Sequence, residues 1–274
     1  MKNRNKKIKV GIVGCGAIGA TLSLLLKKHY PGRFKIVALC DIDSQKAHAL
    51  KNKIKSCQVS SLKELIALSD LVVEAASAKV SFDVAQQVLR KGKNVLIMSV
   101  GGILGKEKKL FSIAEKYKGR IHFPSGAICG LDGIASLNLA GFEEITLKTF
   151  KSPAALKGAD YVIRKKIDLE GIKKETIIFK GTAQEAVRAF PQNINIVALL
   201  SIAAKGKIVP QVEIVVCPGL KRNVHSIEVK SKAAHLTMKC ENVPSPDNPK
   251  TSYLAILSAV ATMSGMGDVF RIGA

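Results

Sequence analysis

Over its first hundred residues the chain alternates between short apolar runs and longer amphipathic stretches, the pattern of buried strands joined by crossover helices. Residues 9–13 read as a buried strand, 17–28 as a helix halted by Pro31 and Gly32, and 34–40 as a second apolar strand, which completes a βαβ unit. Asp43 and Ser44 can cap a helix that reaches Lys51. Further helices are expected at 62–68, 79–89 and 106–116, with strands at 71–74, 95–98 and 121–123. Pro124, Ser125 and Gly126 then break the alternation and mark the exit from a first domain.

Beyond that point strands cluster late in the chain. Strands are expected at 144–151, 176–179, 211–216, 223–230 and 235–240, and helices at 182–190 and 195–204. Such grouping is that of an α+β domain. The string ENVPSPDNPK (241–250) reads as a linker, and a last helix at 251–264 is expected to pack back on the first domain. A chain of 274 residues accommodates two domains of ordinary size.

Composition narrows the field. No apolar run approaches the roughly 20 residues needed to cross a bilayer, and the basic start MKNRNKKIKV leads into a stretch interrupted by Gly11, Gly14, Gly16 and Gly19, not a signal peptide. A cytoplasmic protein is therefore expected. Six cysteines stand far apart without a C-x-x-C pair, which excludes a zinc ribbon or redox motif, and no metal site is expected. Lys+Arg 43 against Asp+Glu 21 gives a net charge of +22. Five of the first nine residues are basic, but the others are spread over helix faces and loops without interleaved aromatics, which argues against a nucleic-acid partner. A general positive field also concentrates anionic substrates and dinucleotides.

The most specific motif is Gly14-Cys15-Gly16-Ala17-Ile18-Gly19, a G-x-G-x-x-G string between a predicted strand and a predicted helix. The second strand leads into Asp41, 41 − 14 = 27 positions after Gly14, near the spacing of an acid that holds the adenine ribose diol. Gly14 permits the tight turn, Gly16 the approach of a pyrophosphate, and Gly19 close helix–strand packing, with Ala17 and Ile18 opening the helix. A carboxylate near a 2′-phosphate would oppose it by about 4 kcal/mol at roughly 4 Å and an effective dielectric of about 20. NAD is thus favoured over NADP, with NADP kept as an alternative cofactor. Two further loops at strand ends, Glu74-Ala75-Ala76-Ser77 and Ser99-Val100-Gly101-Gly102, are expected to face the dinucleotide, although ordinary strand-to-helix turns look the same.

Hydride transfer from a carbon bearing OH or NH₃⁺ needs a proton acceptor, for which imidazole is suited. His29 and His48 fall on exposed helical positions, and strand parity places His235 with Thr237 and Lys239 on a wet face. By the same parity His225 shares its face with Ile227 and Val229 and points inward, as a hydrogen-bonded core histidine would also do. His122, near the end of the last parallel strand, is a second candidate.

The strings SGAICGLDG (125–133), FPQNINIVALLS (190–201), NVHSI (223–227) and NPKTSYLAILS (248–258) resemble, in this order, motifs of the L-aspartate dehydrogenase family, over nearly the whole chain. The resemblance implies a homodimer with a Rossmann NAD-binding domain (1–124, with 248–274 packing back on it) and an α+β substrate-binding and dimerisation domain (125–247). It implies oxidation of L-aspartate to iminoaspartate, which feeds quinolinate and NAD synthesis or hydrolyses to oxaloacetate and ammonia. The family's active-site histidine falls on His225, which in neutral form would take a proton from the substrate ammonium. Ala127 and Asn195 join the expected cofactor contacts. Asn193, Asn223, Lys250, Thr251 and Ser252 are the expected donors to the two substrate carboxylates, although caps and turns use the same residue types, Asn248 and Thr251 above all, beside Pro249.

Two rival readings remain open. Cys129 stands where the family would carry a small residue such as glycine, and a thiol near a helix start is the nucleophile of a semialdehyde dehydrogenase. The charge of +22 and the basic N-terminus also fit an NAD-sensing protein that binds nucleic acid. Sugar-type oxidoreductases with this domain order usually carry Glu-Lys-Pro after the fifth strand, where this chain has Ser99-Val100-Gly101.

Overall fold

A computed structural model describes residues 7–190, 194–246, 248–266 and 268. The chain divides into two compact units: one runs to Pro124 and takes back the segment that begins at Ile256, and the other spans Ser125–Ala255.

The first unit is a six-stranded parallel sheet, of strands β1 (Ile8–Val13), β2 (Phe34–Cys40), β3 (Gln58–Val59), β4 (Leu71–Glu74), β5 (Asn94–Ile97) and β6 (Ile121–His122), in spatial order β3-β2-β1-β4-β5-β6. Its crossovers are helices α1 (Ala17–His29), α2 (Ser44–Ile54), α3 (Leu62–Leu68), α4 (Ala78–Leu89) and α5 (Glu107–Tyr117), with a 3-10 turn at Val100–Ile103. Leu71 to Glu74 and Val95 to Ile97 are buried without alternation, as strands covered on both faces must be. Asp43 caps α2, its side chain accepting from the amides of Gln45 and Lys46, and a Ser61–Glu64 capping box starts α3. The strand order reverses between β1 and β4, the place where sheets of this class bind ligands at their carboxyl ends.

The second unit holds helices α6 (Leu131–Leu137), α7 (Pro153–Leu156), α8 (Asp160–Arg164), α9 (Ala183–Ala189) and α10 (Ile194–Ala203), and five strands in one mixed sheet. These strands are β7 (Glu144–Lys151), β8 (Thr176–Thr182), β9 (Gln211–Val216), β10 (Asn223–Lys230) and β11 (His235–Asn242), in order β11-β10-β7-β9-β8. Only the β7–β9 pair is parallel. The segment expected to be a linker is built into structure instead: β12 (Pro244–Ser245) pairs antiparallel with β13 (Asn248–Ser252). A two-stranded ribbon tolerates its prolines because its outer positions need no ladder partner.

The last helix, α11 (Tyr253–Gly265), begins two residues later than expected. Its Ile256, Ala259, Val260 and Met263 lie in the core cluster of the first unit with Leu22, Leu26, Ile36 and Leu39. Arg33 reinforces that return through an ion pair with Asp268 at 2.8 Å.

Candidate active site

In the first unit the glycine turn is built by close backbone contact. Gly14 adopts φ +92, and a Cβ there would stand 2.5 Å from the carbonyl carbon of Ala75, at the exit of β4. A Cβ on Gly19 would overlap the carbonyl oxygen of Gly14. Gly16 differs, since nothing lies within 4 Å of where its Cβ would be. The first turn of α1, with Ala17 and Ile18 half-exposed, carries no acidic residue and no side-chain cap, so its amides are left for an anion. Open space at Gly16 beside uncapped amides fits a dinucleotide pyrophosphate.

Asp41 does two jobs on the backbone. One carboxylate oxygen accepts from the amide of Cys15 at 2.6 Å and the other from the amide of Asp43 at 2.8 Å, which ties the exit of β2 to the glycine turn. Each oxygen retains acceptor capacity for a ribose hydroxyl. Ile42, next in sequence, is fully exposed. Sequence reasoning passed over it, although an isoleucine directly after a strand-ending acid was a visible signal. Cys15 is inert, because burial, with help from Asp41, pushes its thiol up to about 12.

The loops after β4 and β5 are joined by a residue to which the sequence pattern gives no role of its own. Glu74 is fully buried and accepts from the amides of Ala76 at 2.9 Å and Ser99 at 3.1 Å. Burial pushes its carboxyl above the ordinary range, and those hydrogen bonds pull it back in part. Ala75 is half-buried, Ala76 and Ser77 are exposed, and Ser99, Val100 and Gly101 are buried. The signal for Glu74 was a charge closing the otherwise apolar run Leu71-Val72-Val73.

In the second unit the chemistry gathers on one face of the sheet. His225 on β10 lies opposite Thr149 on β7 and Cys240 on β11. It is only 5% exposed, and its Nδ1 shares a hydrogen bond of 3.1 Å with the Thr149 hydroxyl. Among the described residues Nε2 has no such partner. Burial, and secondarily the charge of Lys151, holds the imidazole down at about 3, so it is neutral near pH 7. Lys151, two residues along β7 from Thr149, donates to Asn223 Oδ1 at 3.3 Å. The sequence offered Lys151 no partner strand, since β7 and β10 are far apart in the chain.

Around this cluster the expected donors separate. Ser252 gives its hydroxyl proton to Asn242 Oδ1 at 2.6 Å, and Asn242 donates to the Ala127 carbonyl at 3.0 Å. In this arrangement Ser252 steadies Asn242 and has no proton left for a carboxylate. Asn248 donates to Thr251 Oγ1 at 3.1 Å across the proline between them. Asn195 is exposed in the first turn of α10. Asn193 lies outside the described residues, and of Lys250 only the backbone, in β13, is described. His122 is half-buried on β6 of the first unit, and His235 is exposed on β11 with Glu228 at 2.9 Å. Cys129 receives a hydrogen bond from the thiol of Cys240 at 3.4 Å. Burial and Cys129 push Cys240 up to about 11, so that neighbour offers no base to activate a nucleophile.

Comparison with known proteins decides between the readings. Residues 132–266 match the model "Aspartate dehydrogenase, C-terminal", and residues 14–124 match "Homoserine dehydrogenase, NAD binding domain". The L-aspartate dehydrogenase of Methanosarcina mazei is 42% identical over 270 residues, covering 97% of this chain and 99% of that protein. The chain belongs to the L-aspartate dehydrogenase family. A family member from Methanocaldococcus jannaschii is 41% identical over 272 residues, again with 97% and 99% coverage. The crystal structure of aspartate dehydrogenase from Thermotoga maritima superposes with a TM-score of 0.76 at 25% identity, covering 98% of this chain and all of that one. The family's NAD-binding Rossmann fold is the first unit described above. Among the described residues no helix is long and apolar enough to cross a membrane.

Proposed function

We propose that this chain oxidises L-aspartate to iminoaspartate, with His225 as the acid–base group. The observation that carries the reading is a buried imidazole, kept neutral and oriented through Nδ1 by Thr149. NAD, when bound, supplies the hydride acceptor. The glycine turn and the first turn of α1 hold its pyrophosphate, Asp41 its ribose diol, and Ile42 offers the adenine an apolar face. Glu74 keeps the loops at Ala75–Ser77 and Ser99–Gly101 in register with one another. Asp41 favours NAD over NADP through the charge of its carboxylate.

In the second unit Nδ1–H donates to the Thr149 hydroxyl, leaving the Nε2 lone pair to take a proton from the substrate ammonium. The amine nitrogen's electron pair then forms the C=N bond as the hydrogen on Cα departs with its own pair. Asn223 and Thr251 offer hydrogen bonds to substrate, and Ala127 and Asn195 to the cofactor. The imine goes on to quinolinate and NAD synthesis or hydrolyses to oxaloacetate and ammonia. The protein works as a cytoplasmic homodimer, and its charge of +22 draws the anionic substrate in.

The test is NAD reduction followed by absorbance with L-aspartate, D-aspartate, L-malate and aspartate semialdehyde in parallel, and NADP in place of NAD. L-Aspartate with NAD is expected to give the highest kcat/KM. Reduction with the semialdehyde alone would overturn the reading in favour of the Cys129 thiol.

A further inference from the structure

The lysines of the second unit's sheet follow a rule that one of them breaks. Lys148 and Lys180 both pair with Glu213, at 3.3 and 3.1 Å, Lys230 pairs with Glu144 at 2.9 Å, and Lys239 with Glu241 at 2.9 Å. Lys151 is half-buried, yet among the described residues no carboxylate stands within ion-pair distance of it. Its ammonium donates instead to the neutral Asn223 amide oxygen at 3.3 Å. Holding an ammonium away from water without an anion is costly, so such a group is either neutralised or reserved for a charged ligand.

Position says which ligand. In the antiparallel register His225 lies opposite Thr149, so Lys151 and Asn223, two residues further along each strand and joined by a side-chain hydrogen bond, share its face as diagonal neighbours, whose backbones lie roughly 7–8 Å apart. Aspartate carries one carboxylate on the carbon that bears the reacting amine and the other on the next carbon, so a cation beside the imidazole can receive either one while the amine faces His225. We propose that Lys151 is the cation that receives a carboxylate of the substrate, with Asn223 orienting its ammonium; the proposal rests on the aspartate reading above. A carboxylate bound there would also offset the positive charge that helps to hold His225 down, so substrate would raise the basicity of the group that must take its proton.

The experiment compares wild type with Lys151→Met, which keeps length and removes charge, and Lys151→Arg, which keeps charge. A charge-assisted hydrogen bond is worth a factor of roughly 10 to 150 in affinity. Lys151→Met is therefore expected to raise KM for L-aspartate by about that factor while kcat changes less than about fivefold, and Lys151→Arg to recover part of the loss. NADH affinity, read by fluorescence, should be unchanged in both. Succinate titrated calorimetrically into the NADH complex should bind wild type and lose the same factor in Lys151→Met. If the preference for L-aspartate over L-asparagine collapses in Lys151→Met, the side-chain carboxylate is the one held; if both weaken equally, it is the α-carboxylate. Unchanged KM and succinate affinity in a folded Lys151→Met, or a fall confined to kcat, would overturn the proposal. Wild type that binds succinate through Lys151 without oxidising L-aspartate would instead sink the aspartate reading and leave the anion site standing.

Discussion

At the scale of single residues, His225 couples catalysis to stability. His225→Ala should lower turnover by roughly 10²–10⁴ while NADH affinity stays near wild type, as measured by steady-state rates and fluorescence titration. Because burial lowers the folded pKa from 6.5 to about 3, the unfolded chain binds the extra proton first. The stability that goes with a neutral His225 is complete above about pH 6.5 and lost as pH falls towards 3, by up to about 1.4 kcal/mol per unit. Glu74 runs the other way: its carboxyl is raised, so burying it costs nothing in the acid range and costs stability as pH rises through the folded value. Urea unfolding at pH 7 and pH 4.5 should show a smaller acid loss in His225→Asn than in wild type, since the carboxylates common to both cancel. An equal loss would mean the imidazole is already solvated. Parity of the string Asn223–Lys230 was enough to turn His225 inward, but its partner Thr149 and neighbour Lys151 were hidden, because register between strands 76 positions apart is written in no local pattern.

At the scale of elements, the strand–turn–helix at Gly14–Gly19 separates folding from binding. Gly19→Ala drives a methyl into the Gly14 carbonyl oxygen and should destabilise by roughly 1–3 kcal/mol, read as a lower urea midpoint. Gly16→Ala, at φ −70 with open space around it, should unfold like wild type yet bind NADH more weakly, because the methyl occupies the place of the pyrophosphate. Equal NADH affinity in Gly16→Ala would remove that turn from the cofactor site. Most elements of this unit were readable because the longer strands are mainly apolar and the helices have a cap or stop, as at Asp43 and Ser61, while the two-residue β3 (Gln58–Val59) was too short to register. The short pieces were not: α7 and α8 span four and five residues, too few for a helical period to register. Pro244 and Pro249 likewise disguised the β12–β13 ribbon as a linker, since proline argues against strands everywhere except at their edges.

At the scale of the whole molecule, the first unit is discontinuous in the chain. Ile256, Val260 and Met263 are buried against β1, β2 and α1 residues such as Val10, Leu22 and Ile36. Ile256→Ala should cost about 2–5 kcal/mol, and saturating NADH should recover part of the fall in thermal midpoint, because the ligand binds the same unit. A midpoint that does not move would place α11 outside that core. The consequence reaches back to synthesis. When Pro124 leaves the ribosome the Rossmann sheet is complete in strands, but one wall of its interior is still untranslated, and 255 − 124 = 131 more residues must be made before that wall begins to arrive. At about 5–20 residues per second the nascent sheet waits on the order of ten seconds with leucines and isoleucines uncovered. The newborn chain is therefore expected to complete its nucleotide-binding half last although it begins it first, so that nascent chains arrested before Ile256 should be cut by protease within β1–β6 while the released chain is protected.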